Sequence, residues 1–324
     1  MSKKKVTPSA QAAAFEKGNI LCPSCGKTVS RIGTMPFTEV PCEKCGMKIF
    51  VPGKLDHYFL YELLGHGGMG SVYRAFSEKN PQETVAVKIL SRSAGENPSN
   101  ILALLTESRI ASNFTGSDFV AGSLGHGYAD GEYYIVSPCI EGERLDRRIA
   151  RMEKLAPAEM LAVARHILAA EQYIYRRGYL FRDLKPENVI INPYGYAVLL
   201  DFGLCKSVSE AANPDSTAYV AGSPYYIPPE RLMNEPENAA SEIYSLGMVM
   251  YFGLTGRNYY NADEIDSLAK RHISGLRLSS AGKMQGIPKQ IAKLLDDMIR
   301  QENRERLQTF QEVDARICDL QKEF

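Results

Sequence analysis

The chain has 324 residues, 44% of them apolar and 23% charged, which is enough apolar matter for a core and an ordinary globular charge content. Lys+Arg and Asp+Glu both total 38, so the formal net charge is zero, which excludes a chain-wide basic footprint for nucleic acid. The longest apolar run, around Met248–Leu254, is far short of the ~20 residues a membrane helix needs, and Lys3–Lys5 leads into polar residues rather than a secretory apolar core.

A soluble, cytoplasmic protein is therefore expected. The charge is unevenly spread. Residues 1–53 hold eight basic and three acidic side chains, giving +5, so the remainder is −5. Residues 1–18, rich in Lys, Ala and Ser, are expected to be a disordered basic tail.

Residues 19–53 carry Cys22, Cys25, Cys42 and Cys45 as two Cys-x2-Cys pairs separated by sixteen residues, each followed by glycine. A Cys-x2-Cys turn lets two thiolates reach one ion, and two such knuckles complete a tetrahedral Zn²⁺ site. Two disulfides or a redox pair would use the same thiols, but a reducing cytosol disfavours both. So short a segment cannot fold on its core alone, so metal would supply the folding energy. The segment resembles a zinc ribbon. Zn²⁺ with four thiolates adds −2 and leaves about +3, weak support for nucleic-acid binding; protein docking or a structural role fits at least as well. Cys139, Cys205 and Cys318 are scattered and read as small buried hydrophobes.

Val51-Pro52-Gly53 marks a boundary. Beyond it, strands are predicted at 58–64, 71–76, 84–90 and 132–140, with a helix over 98–112. Helices are then predicted at Pro157–Arg177, Ala240–Leu254, Ile287–Gln301 and Thr309–Lys322, interrupted by a hairpin over 189–192 and 196–200. A strand-rich part followed by a helix-rich part gives an α+β fold of two lobes with a cleft between them.

Gly65, Gly67 and Gly70 form G-x-G-x-x-G, a weak signal alone. In a dinucleotide-binding fold it would open a helix, and a Walker loop would need Gly-Lys-Ser/Thr. Here a β-branched and aromatic run, Ser71–Phe76, follows instead. A glycine hairpin can lay bare backbone N–H groups across phosphates. Eighteen residues on, Lys88 sits in the apolar strand "VAVKIL", where burial is costly unless an anion such as Glu107 or a ligand pairs it.

The stretch "YLFRDLKPENVIINPYGYAVLLDFG" packs Arg182, Asp183, Lys185, Glu187 and Asn188 ahead of the hairpin. Folding the hairpin back brings Asn188 and Asp201 to its open ends. Asn188 and Asp201 suit Mg²⁺, Asp183 is free to accept a proton from a hydroxyl, and Lys185 can neutralise a transferring group.

With these motifs in order, the chain resembles eukaryotic-type Ser/Thr protein kinases of the sort found in bacteria, over residues 58–324. The resemblance implies a bilobal kinase domain, with an N-lobe at 58–137, a hinge at 138–142 and a C-lobe at 143–324. It implies that Gly65, Gly67 and Gly70 cover the ATP phosphates and that Val72 and Ala86 line the adenine pocket. Lys88 would hold the α/β-phosphates and pair with Glu107, and the Ile140 N–H would meet adenine. Asp183 would be the catalytic base, Lys185 the support for the γ-phosphate, and Asn188 and Asp201 the ligands of Mg²⁺ or Mn²⁺. Lys185 and Ser223 match the Ser/Thr-specific pattern. Arg182 would receive an activation-loop phosphate on Thr217 or Ser216.

The chain departs from the family at Phe181, where His is usual, at Glu242, where Asp is usual, and at Pro228 in "PPE". None removes a reacting group; Phe181 can stack on Phe202 and Glu230 can still pair with Arg306. An active enzyme acting on protein substrates is expected. The alternative is a nucleotide-binding pseudokinase scaffold whose ribbon is the working interaction module.

Overall fold

A computed structural model describes residues 6–67, 70–214, 221–262, 264–274 and 286–323. The chain divides into two compact units, residues 6–112 with 123–139, and residues 113–122 with 140–323.

The first unit is built on a six-stranded antiparallel sheet. Its strands are β5 (Gly53–Leu55), β6 (Tyr58–Gly67), β7 (Gly70–Ser77), β8 (Asn80–Leu90), β9 (Gly125–Ala129) and β10 (Glu132–Pro138), in the order β5-β6-β7-β8-β10-β9. Helix α3 (Pro98–Ala111) follows β8 and a one-turn helix α2 (Arg92–Gly95). Period-two side-chain alternation divides β8 cleanly. Val85, Val87 and Ile89 are buried in one cluster with Leu60, Tyr73, Ala75, Tyr134 and Val136, while Ala86 and Lys88 alternate with them on the other face.

What closes that apolar face comes from the cysteine segment. Two short hairpins, β1 (Asn19–Leu21) with β2 (Thr28–Ser30) and β3 (Glu39–Pro41) with β4 (Lys48–Phe50), carry the four cysteines. Phe37 and Phe50 pack against the sheet cluster, with ring centroids 5.2 and 5.8 Å from that of Tyr73. Gly53 is needed for this fit, because a Cβ there would lie 2.6 Å from the Phe37 ring. Gly53 therefore opens an edge strand of the large sheet, where the sequence suggests only a boundary.

Residues 8–16, expected to be disordered, instead form helix α1 (Pro8–Glu16). Thr7 caps it by accepting from the Ala10 N–H, and the Gln11 side chain accepts from the Leu21 N–H at 2.9 Å. Phe15 is buried with its ring centroid 5.2 Å from that of Phe59, and the Arg31 guanidinium lies 4.0 Å over it. A polar, Ala-rich segment gives no hint of this, because short helices draw their stability from tertiary packing and the partner is 44 positions away.

The second unit is mainly helical: α4 (Leu145–Met152), α5 (Pro157–Tyr175), α6 (Val208–Ala211), α7 (Pro229–Leu232), α8 (Ala239–Thr255), α9 (Ile265–Ile273), α10 (Lys289–Met298) and α11 (Phe310–Leu320). The four long predicted helices fall within about three residues of these bounds. Helix α8 is buried at nearly every position and packs against α5. Three small strand pairings frame the loops between them. Strand β11 (Glu143–Arg144) joins β13 (Val189–Ile191), which pairs with β14 (Ala197–Leu199), and β12 (Tyr179–Leu180) pairs with β15 (Lys206–Ser207). Loop 181–188 thus runs from β12 to β13, and loop 200–205 from β14 to β15. The two ladders tie both loops at both ends. Among the described residues, no helix is long and apolar enough to cross a membrane.

Candidate active site

Asp183 lies in loop 181–188, 8% exposed. Its Oδ2 accepts from Lys185 Nζ at 2.8 Å and from Asn188 Nδ2 at 2.9 Å, and its Oδ1 accepts from Ser223 Oγ at 3.4 Å. Asn188 Nδ2 also donates to the Asp183 carbonyl at 3.0 Å. With its amide donor turned toward Asp183, the Asn188 side-chain oxygen is left as the acceptor end. The Leu200 N–H donates to the Asn188 carbonyl at 2.9 Å, so the hairpin closes beside Asp201. Arg182 and Asp201 both have positive φ, 68° and 65°. For residues with a Cβ this is uncommon and strained, and such strain concentrates at functional sites.

Behind the loop is a buried ionic layer. The Arg182 backbone N–H donates to both carboxylate oxygens of Glu242, at 3.0 and 3.2 Å. The Arg182 guanidinium donates twice to Glu237 Oε1, at 3.0 and 2.6 Å, and Arg231 Nε donates to Glu237 Oε2 at 2.8 Å. Arg231 Nη1 also donates to the Arg182 carbonyl. Glu230 and Arg306 form a buried pair at 2.7 and 2.8 Å. Phe181, 1% exposed, meets the Phe202 ring edge-on at 5.6 Å, so the expected aromatic contact is present. Burial, reinforced by Glu237, lifts the Glu242 carboxyl to about 7 against the pull of Arg231 and Arg182. Burial also acts on Glu230, but the Arg306 hydrogen bonds and charge outweigh it and hold that carboxyl low.

In the first unit, Lys88 Nζ donates to both oxygens of Glu107 at 2.8 Å, joining β8 to α3. Val72 pairs with Lys88 in the β7–β8 register, and Ala86 lies two residues along β8. The three motif glycines differ in kind. A Cβ on Gly70 would meet the Ile89 carbonyl at 2.0 Å, so strand packing alone demands glycine there. A Cβ on Gly65 or Gly67 would meet nothing within 4 Å. Their backbone is open, which suits close approach of a phosphate.

The four cysteine sulfurs lie within 4.8 Å of one another. Cys22 and Cys45 Sγ are 3.6 Å apart, Cys25 and Cys42 Sγ 3.7 Å. A tetrahedron with Zn–S bonds of ~2.3 Å has edges of ~3.8 Å, so the cluster has the size of a Zn²⁺ site. The two knuckles repeat one geometry. Gly26 N–H donates to the Cys22 carbonyl and Gly46 N–H to the Cys42 carbonyl, and both glycines have positive φ, near 70°.

Not all expected residues reach this picture. Ser216 and Thr217 lie outside the described residues. Ile140 begins the second stretch of the helical unit. Arg182, expected as a phosphate partner, already has its guanidinium on Glu237. Glu237, Arg231 and Glu171 escape motif reading. The available signal for Glu171 was an acid on the inner side of an otherwise apolar helix; for Arg231 and Glu237 it was only their nearness to the "PPE" stretch.

The second unit thus carries paired loops around a nearly buried Asp183, and the first unit, taken by itself, carries the Lys88–Glu107 link. Residues 58–316 match the protein kinase domain family, and the chain belongs to that family. It is 32% identical over 233 residues to the serine/threonine-protein kinase PknH of Mycobacterium bovis, covering 72% of this chain and 38% of the relative. It is 30% identical over 223 residues to PknD of Mycobacterium tuberculosis, covering 69% and 33%. A probable serine/threonine-protein kinase of Clostridium perfringens is 28% identical over 267 residues, covering 82% and 38%. The chain thus spans about a third of the length of the curated relatives it matches.

Proposed function

We propose that the chain is an ATP- and Mg²⁺-dependent protein serine/threonine kinase, transferring the γ-phosphate to Ser or Thr hydroxyls of cytoplasmic protein substrates. The observation that carries this is the Asp183 carboxylate, nearly buried and oriented by Lys185, Asn188 and Ser223. Asp183 accepts the proton of the incoming hydroxyl, and Lys185 neutralises charge on the group in transfer. Asn188 and Asp201 hold Mg²⁺ or Mn²⁺, which screens the phosphate charge when bound. Lys88, kept in place by Glu107, takes the α/β-phosphates under Gly65, Gly67 and Gly70. Val72 and Ala86 line the adenine side, and the Ile140 N–H is the hinge donor.

Residues 19–53 form a zinc ribbon in which Cys22, Cys25, Cys42 and Cys45 hold Zn²⁺, and the kinase domain runs over 58–324. The ribbon's packing on the sheet favours a structural role over a nucleic-acid tether. The chain autophosphorylates in its activation loop at Ser216 or Thr217, and Arg182, whose guanidinium donates to Glu237, is the partner for that phosphate.

Phosphate incorporation from labelled Mg–ATP into a generic basic protein tests the reading: the wild type labels it and Asp183→Asn does not. Equal labelling by both would overturn it. Nucleotide binding without transfer would instead make the chain a pseudokinase scaffold.

A further inference from the structure

The inner side of α5 carries one acid that the site described above does not use. Glu171 is 2% exposed, and neither of its carboxylate oxygens receives a hydrogen bond from an N–H group among the described residues. The group against it is the carboxyl of Glu242 on α8, also 2% exposed. Two ionised carboxylates have no proton to form a bond; one proton between them makes one.

The charges around the pair decide where that proton is. Glu242 is faced by Glu171 from α5, Arg231 from α7, Glu237 from the turn before α8, and Arg182 from loop 181–188. The Cys205 thiol after β14 lies near enough for the Glu242 charge to act on it. The two arginines balance Glu237 and Glu242. Among the described residues, Glu171 is a third acid without a cation to match, and a buried unpaired carboxylate is costly.

We propose that Glu171 is a positioning residue for phosphotransfer: it is a neutral carboxylic acid whose O–H donates to Glu242 and fixes the carboxylate that holds the Arg182 N–H, one residue before Asp183. Glu242 has one methylene more than the Asp usual in this family and so more freedom to swing. A donor on its far side removes that freedom. Burial and the Glu242 charge both raise Glu171 well above the ordinary carboxylate range, which supports the assignment. Only the effect on rate rests on the proposed kinase activity; the shared proton does not.

The test is made on the full chain. Infrared difference spectra against Glu171→Gln should show a protonated-carboxyl C=O band in the wild type at neutral pH that fades on alkaline titration. In assays with Mg–ATP and a generic basic protein, Glu171→Gln, which still donates an N–H, should lower kcat by no more than about threefold and should lose the wild type's alkaline fall. Glu171→Ala should lower kcat about tenfold at neutral pH with KM for ATP within about twofold, the split expected when a positioning contact rather than ground-state binding is lost. If the alanine variant does not fold, the infrared band and the glutamine profile still decide. No protonated-carboxyl band, or equal loss in the Gln and Ala variants, would overturn the proposal.

Discussion

Lys88 in the first unit and Asp183 in the second are both charged side chains, but what stands behind each is different. Behind Lys88 the sheet is apolar. Val85, Val87, Ile89, Tyr73 and Tyr134 form a continuous cluster, and two phenyl rings from the cysteine segment cover it. Behind Asp183 lies a layer of glutamates and arginines, several less than 6% exposed, tied to the loop by the Arg182 N–H and guanidinium. An apolar backing is indifferent to pH and fails gradually as atoms are removed. An ionic backing fails abruptly when one partner is lost, because the other is left buried and unpaired. The first unit should therefore respond to metal and packing, the second to charge and pH.

The largest effect should come from the residue proposed as the proton acceptor. Asp183→Asn keeps the shape of the side chain but removes that proposed acceptor, and phosphate transfer should fall about 10²–10⁴-fold. Next is the second unit's ionic backing. Arg306→Met leaves Glu230 buried without its partner and should destabilise that unit by about 3–5 kcal/mol in urea unfolding. A change under about 1 kcal/mol would mean that the pair is not the staple its geometry suggests.

The pH profile sharpens the contrast. Glu242 sits at about 7 in the folded chain against an ordinary 4.5. The folded state then holds more protons than the unfolded one between those values, so stability falls as pH rises through that window. The full shift corresponds to on the order of 3 kcal/mol. Glu230 has the opposite sign: its lowered carboxyl contributes stability above about 4.5 that is lost as pH falls. Stability should therefore peak on the acid side of neutrality, and Glu171→Gln should flatten its decline toward neutral pH. A curve that is flat from pH 5 to 8 in the wild type would contradict the buried acid pair.

Much of this was legible in the sequence, and what was not has a common cause. The glycines, Lys88, Glu107, Asp183, Lys185, Asn188 and Asp201 stand in short motifs whose spacing encodes their chemistry. The four cysteines point to a metal site for the same reason. Glu171, Arg231 and Glu237 do not, because their meaning depends on partners up to 71 positions away, as in Glu171 with Glu242. Helix α1 and the ribbon's seat on the sheet are likewise long-range contacts. Phe15, Phe37 and Phe50 look like scattered aromatics until Phe59 and Tyr73 are beside them.

The smallest predicted effect tests the apolar side of the comparison. Cys42 and Cys45 close the turn of the hairpin β3–β4, and Phe37 and Phe50 lie at the hairpin's two outer ends. A metal ion on the four sulfurs would therefore pin the hairpin at one end, while the rings seat it on Tyr73 at the other. Phe37→Ala should leave one zinc ion per chain bound, yet lower the first unit's stability by about 1–2 kcal/mol, less than a fully buried ring because Phe37 is only partly buried. Chelation should remove the metal and loosen the same sheet, so both treatments should weaken nucleotide binding through β8, the strand that carries Lys88. Asp183→Asn should leave that binding intact. If stripping the zinc leaves nucleotide affinity and the unfolding of the first unit unchanged, the ribbon is merely attached to the sheet, and the metal has no hold on the strand behind Lys88.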